Sequence, residues 1–183
     1  MKNLAVFVSG TGTILEAILR DNIPVALVLA DRKCRGLEIA KAAGIPTELV
    51  ERTFGKGFNR EEYTRRIFRI LLDHEIDLIA MAGFMTILAP FLFKEWPGII
   101  LNTHPSLLPA FKGDNAVRDA LNHGVKVTGC TIHRATAKLD EGSILAQASV
   151  PVLPEDTRNT LHERIKRKER ALYPRVIKQM LKP

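Results

Sequence analysis

The chain has 183 residues, 46% of them hydrophobic, which is enough to bury a core as one domain over residues 1–183. Cys34 and Cys130 stand far apart and offer neither a disulfide framework nor zinc spacing, so no metal is expected and a reducing, cytoplasmic setting is. The start lacks the apolar stretch of a secretory signal, no run approaches the roughly 20 apolar residues of a membrane span, and the net charge of +7 is confined to residues 157–183, with nine Lys or Arg against Glu163 and Glu169.

Taken in chain order, Leu4 to Val8 reads as a strand and Thr13 to Arg20 as a helix. Between them lies Ser9-Gly10-Thr11-Gly12-Thr13. Glycines let backbone N–H groups approach an anion, the helix start adds positive potential, and the hydroxyls add donors, so this turn suits a phosphate. A plain strand-to-helix turn with Thr13 as N-cap accounts for the same residues. The spacing is neither a Walker A loop nor the dinucleotide fingerprint. Val25 to Ala30 reads as the next strand, Gly36 to Ala43 and Arg60 to His74 as helices, and Leu78 to Ala82 and Ile99 to Leu101 as further strands. Short, almost wholly apolar strands alternating with helices indicate a parallel sheet covered on both faces. Gly10, Gly83 and Asn102 then lie at the carboxyl ends of strands, where ligands of open sheets bind.

Asn102-Thr103-His104-Pro105-Ser106-Leu107-Leu108-Pro109 follows the last of these strands. It reads as a stiff loop bracketed by Pro105 and Pro109 that aims an amide and an imidazole at one point. That pair suits acyl transfer: the amide stabilises an oxyanion and the imidazole moves a proton to a leaving nitrogen. Val125 to His133 and Ile144 to Val152 read as a hairpin whose connection contains Asp140-Glu141-Gly142, by itself an ordinary turn. The terminal segment spaces Leu161, Ile165, Leu172, Val176 and Met180 as a helix docked on a core, with its basic residues on a solvated face.

Together these segments resemble the folate-dependent formyltransferase family over nearly the whole chain. The resemblance rests on Gly10 to Thr13, Met81-Ala82-Gly83-Phe84-Met85, Leu101 to Gly113, Val125 to His133, Asp140 and Glu169 to Pro174 in that order. It implies a Rossmann-like open α/β sheet, mostly parallel with antiparallel strands in the C-terminal part and helices on both faces. Chain length, Phe111-Lys112-Gly113 and Thr128-Gly129-Cys130-Thr131 are most similar to the purine-pathway branch, which implies 10-formyltetrahydrofolate as formyl donor and glycinamide ribonucleotide as amine acceptor.

Carried over by position, the resemblance makes Asn102, His104 and Asp140 catalytic. It gives Gly10, Thr11, Gly12, Thr13, Ile14, Pro105 and Glu169 to the amine substrate, with the glycine turn on its ribose phosphate and Glu169 at its amine end. It gives Arg60, Met85, Thr86, Ile87, Leu88, Asn102 and the stretch Thr136, Ala137, Lys138, Leu139, Asp140 to the folate. Two positions depart from the family pattern: Ile14 stands where many members carry Asn, and Thr86 where some carry Arg.

The resemblance also implies small-molecule partners only, with neither nucleic acid nor membrane, and a monomer or weak homodimer. The deformylase and the transfer-RNA formyltransferase of the family carry further domains for which this length leaves no room. A sugar-amine formyltransferase stays open as an alternative. So does a basic nucleic-acid-binding module, although Tyr173 is the one aromatic in the basic segment and single-strand binders stack bases on several rings. A catalytically dead binding protein is disfavoured by the presence of all three reactive residue types.

Overall fold

The computed structural model describes residues 2–53, 55 and 57–182. Its strands are β1 (Leu4–Val8), β2 (Leu27–Ala30), β3 (Thr47–Leu49), β4 (Leu78–Met81), β5 (Ile99–His104), β6 (Val127–Arg134) and β7 (Ile144–Pro151). Its helices are α1 (Thr13–Arg20), α2 (Arg35–Ala42), α3 (Arg60–Asp73), α4 (Leu92–Glu95), α5 (Ala116–Asn122) and α6 (Arg158–Leu181). The strands form one sheet in the order β3-β2-β1-β4-β5-β6-β7. The pairs from β3 to β5 are parallel, and β6 and β7 are added antiparallel. This is the expected mixed α/β sheet.

Alternation along each strand divides the core into two layers. Ala5 and Phe7 join Leu27, Leu29, Ile79, Met81 and Ile100 against Ile67, Leu71, Leu92 and Trp96 of the α3–α4 side. Leu4, Val6 and Val8 join Val28, Ala30, Leu78, Ala80 and Leu101 against Leu15 and Ile18 of α1 and Tyr173 and Ile177 of α6. Both faces of the parallel strands are therefore apolar, which is why their sequences do not alternate in polarity. Tyr173 adds a fixed point, its hydroxyl donating to the Leu101 carbonyl at 2.9 Å. Among the described residues, no helix is long and apolar enough to cross a membrane.

Several boundaries differ from the sequence reading. β5 continues through Asn102 to His104, so these two residues lie on a strand and not on a loop. The cause is β6, which pairs with Leu101–His104 and keeps the backbone extended up to Pro105. β3, α4 and α5 were not expected; β3 is a three-residue edge strand with every residue half-buried and carries little pattern. The N-cap of α1 is Gly12, not Thr13, and no side chain caps that helix.

Candidate active site

β1 and β4 lie side by side, and the chain leaves them in opposite directions across the sheet, which opens a crevice at their carboxyl ends. The turn after β1 forms one wall. Gly12 has φ 72°, and a Cβ there would come within 2.9 Å of the Gly36 Cα on α2, so both conformation and space require glycine. Gly10 and Thr11 are exposed, and Thr13 is half-buried. Because no side chain caps α1, N–H groups of its first turn have no intrahelical or capping partner. Ile14 is half-buried and packs against the core layer of α1 and α6.

The segment after β4 forms the opposite wall. Met85 and Ile87 are 59% and 55% exposed, whereas the alternating Thr86 and Leu88 are both 4% exposed and turn inward. Three hydrogen bonds fix its course: the Met85 N–H donates to Ser9 Oγ at 2.9 Å, Thr86 Oγ1 donates to Asp31 Oδ2 at 2.7 Å, and the Ala89 N–H donates to Thr64 Oγ1 at 2.9 Å. Thr64 belongs to α3, whose first residue is the exposed Arg60.

Asn102 and His104 continue the Ile100 row of β5 and so share one face. Pro105 follows directly, and the loop beyond it is pinned by Thr131: its hydroxyl donates to the Ser106 carbonyl at 2.7 Å and accepts the Leu108 N–H at 3.0 Å. Asp140 comes from the β6–β7 connection. Thr136, Ala137, Lys138 and Leu139 are exposed there, but Asp140 has φ 54° and folds inward to 7% exposure. Its Oδ2 lies 3.4 Å from His104 Nδ1 and accepts the Gly113 N–H at 2.9 Å. His104 Nε2–H donates to the Phe111 carbonyl at 2.8 Å. Both ring nitrogens of His104 thus face acceptors.

Sequence reasoning missed a fourth member, His133, which stands directly opposite Asn102 in the β5–β6 register. Its Nδ1–H donates to the Arg134 carbonyl at 3.0 Å, leaving Nε2 to accept from Asn102 Nδ2 at 3.2 Å. Burial pushes the His133 ring below its ordinary value, outweighing the Arg134 carbonyl and the Asp140 charge. The 3.7 Å approach of His133 Nε2 to Asp140 Oδ1 is therefore a contact with a neutral ring and not an ion pair. This fixes the Asn102 amide with nitrogen toward His133 and leaves its second N–H to donate elsewhere.

Glu169 lies across the strand. It comes from α6, is 5% exposed, and accepts the Thr103 hydroxyl at 2.8 Å, on the opposite face of β5 from Asn102 and His104. Burial pushes its carboxyl above the usual range, partly offset by the Thr103 hydroxyl and the nearby His104. A cleft of about 800 Å³ opens at the far end of the sheet, lined by Lys2, Ile23, Pro24 and Leu181 among others, and none of the residues above lines it. Among the described residues, no group of three or more His, Cys, Asp or Glu is disposed to hold a metal.

An amide, an imidazole and a carboxylate gathered from β5 and a distant turn are the residue types that acyl transfer uses. The sequence pattern of the formyl transferase family matches residues 2–177. The chain belongs to the formyl transferase family. Within it, phosphoribosylglycinamide formyltransferase of Mycobacterium tuberculosis is 45% identical over 174 residues, covering 92% of this chain and 80% of that protein. The Bacillus subtilis protein of the same name is 39% identical over 189 residues, covering 99% and 95%. A trifunctional purine biosynthetic protein adenosine-3 from Gallus gallus is 42% identical, but this chain spans only 18% of its length. The crystal structure of phosphoribosylglycinamide formyltransferase from Streptococcus pneumoniae superposes with a TM-score of 0.90 at 36% identity, each chain covered in full at 100%. Formyl transfer is the reaction of the family, and the fold matches.

Proposed function

We propose that this chain transfers the formyl group of 10-formyltetrahydrofolate to the amine of glycinamide ribonucleotide. The observation that carries the reading is the convergence of Asn102, His104 and Asp140, with His104 Nδ1 3.4 Å from the carboxylate, in a chain whose relatives bear the corresponding name.

The neutral amine attacks the formyl carbon, a C–N bond forms, and the carbonyl electron pair moves onto oxygen. Asn102 donates its free N–H to that oxyanion; a preorganised donor of this kind is worth roughly 10²–10³ in rate. The proton lost by the new ammonium passes through His104 to the folate nitrogen as its bond to carbon breaks, releasing tetrahydrofolate. Asp140 holds the His104 ring in place. No covalent enzyme intermediate and no metal is needed.

Recognition is assigned to the remaining residues. The turn of Gly10, Thr11, Gly12 and Thr13 takes the ribose phosphate on free backbone N–H groups, with Ile14 contributing only packing. Pro105 sets the edge of the site and Glu169 the amine end. Arg60, Met85, Ile87 and the stretch Thr136 to Asp140 line the folate, with the inward-turned Leu88 contributing only backbone; exposed apolar Met85, Ile87 and Leu139 suit a flat ring system better than water. Thr86 acts through its backbone, since its side chain is turned away. The partners are small molecules, and the chain works as a monomer or weak homodimer.

The test is to incubate the purified chain with 10-formyltetrahydrofolate and follow tetrahydrofolate release with and without glycinamide ribonucleotide. Release that depends on the amine is expected. Equal release without it would identify a hydrolase, and release only with an amino sugar nucleotide would move the chain to the sugar-amine branch.

A further inference from the structure

Asp31 follows β2 and takes no part in the chemistry above, yet its side chain is wholly buried, at 0% exposure. A buried carboxylate is expensive unless every lone pair is used. Here Oδ1 accepts Arg32 Nε–H at 2.9 Å, and Oδ2 accepts Arg32 Nη2–H at 3.1 Å and the Thr86 hydroxyl at 2.7 Å. Burial alone would raise this carboxyl, but hydrogen bonds from Arg32, Thr86 and Ser9, with the Arg32 charge, hold it below the ordinary range.

The partners matter more than their number. Ser9 immediately precedes Gly10 of the phosphate turn, its hydroxyl accepts the Met85 N–H at 2.9 Å, and it stands beside Asp31, the two residues following directly on the Val8–Ala30 pair of β1 and β2. Thr86 is the next residue of the folate wall. The buried anion holds Thr86 and adjoins Ser9, which holds Met85, so the base of the amine-substrate turn and two consecutive residues of the folate segment meet around one carboxylate.

On the reading given under Proposed function, we infer that Asp31 is a positioning residue that couples the two substrate sites. A ligand that orders the glycine turn fixes Ser9, which holds Met85 directly, and the adjoining Asp31, which holds Thr86. The reverse order works equally, because coupling between two binding equilibria is reciprocal.

The experiment measures tetrahydrofolate binding by calorimetry with and without saturating glycinamide ribonucleotide, a pair that cannot react. In the unmodified chain each ligand should tighten the other by about fivefold or more, the lower end of ordinary coupling. Asp31→Asn, which places donors against donors, should bring that factor close to one. Thr86→Val removes a single hydroxyl and should lower the factor in part even if Asp31→Asn does not fold, and Thr86→Ser should restore it. A merely structural role would weaken both affinities and leave the factor intact, and that result, or no coupling in the unmodified chain, overturns the inference. Failure of the unmodified chain to bind either ligand would instead overturn the functional reading on which it rests.

Discussion

The parallel and the antiparallel parts of the sheet end in different chemistry. After β1 and β4 the chain offers backbone N–H groups, hydroxyls and exposed apolar side chains, and the Asp31 carboxylate that follows β2 is sealed beneath them. Along β5 and β6 it offers Asn102, His104 and His133, with Asp140 folded against them. Parallel strands end on the same side, so their turns make a rim that can grip two ligands. Antiparallel partners face each other residue by residue, so Asn102 and His133, far apart in sequence, meet side chain to side chain. On the proposed function, recognition comes from strand ends and reactivity from strand register.

The hardest test of that division falls on the antiparallel part. Asp140→Asn keeps size and removes charge, and it should lower kcat by about 10²-fold or more while folate affinity survives. His104→Ala should cost at least as much, and the double variant little more than His104→Ala alone, because residues acting as a unit are non-additive. Single-turnover kinetics of the three variants measure this; losses that simply multiply would break the pair.

A smaller effect is expected in the parallel part. Gly12→Ala meets both the left-handed φ and the α2 backbone, so it should destabilise by about 1–3 kcal/mol and raise KM for the amine substrate, leaving kcat at saturation nearly unchanged. Chemical denaturation and steady-state kinetics check it. A fall in kcat with unchanged KM would remove the turn from recognition.

The smallest effect distinguishes the two faces of β5. The folded-state carboxyl of Glu169 is raised, so its contribution to stability is present in full below about pH 4.5 and is lost as pH rises through the folded value. Glu169→Gln does not titrate, so its Tm relative to the unmodified chain should climb as pH rises above that point, by a few degrees if about 1 kcal/mol is involved. Calorimetry from pH 4 to pH 8 reads the difference, and a constant offset would mean that the carboxyl is ordinary.

Much of this was legible in the sequence. The apolar runs of β1, β2 and β4 and the periodicity of α1 and α3 give the parallel part because a strand covered on both faces has no polar positions to confuse its pattern. β5 was read three residues short because Asn102 carries weak strand preference and Asn102, Thr103 and His104 break the apolar run, and it is the β6 ladder, contributed by residues about 30 positions later, that extends them. His133 was hidden for the same reason: within a strand it reads as one polar residue among apolar ones, and only the register with Asn102 gives it a partner. The Thr13 cap failed on a local detail, since Gly12 takes the capping position with a backbone conformation that threonine adopts poorly. Asp31 could not be found at all, because its significance lies in Ser9 and Thr86, which meet only across the sheet.

Tyr173 joins α6 to the reacting strand through a phenol that burial keeps protonated far above neutrality, and Glu169, on the same side of the helix, is itself shifted toward its uncharged form. The residues that give the molecule its isoelectric point near 9.6, among them Arg167, Lys168 and Arg175, lie exposed on the opposite side. Colloidal behaviour and chemistry are therefore carried by opposite sides of one helix. The outer side is free to vary in charge, while the inner side holds β5 in place through Tyr173 and Glu169.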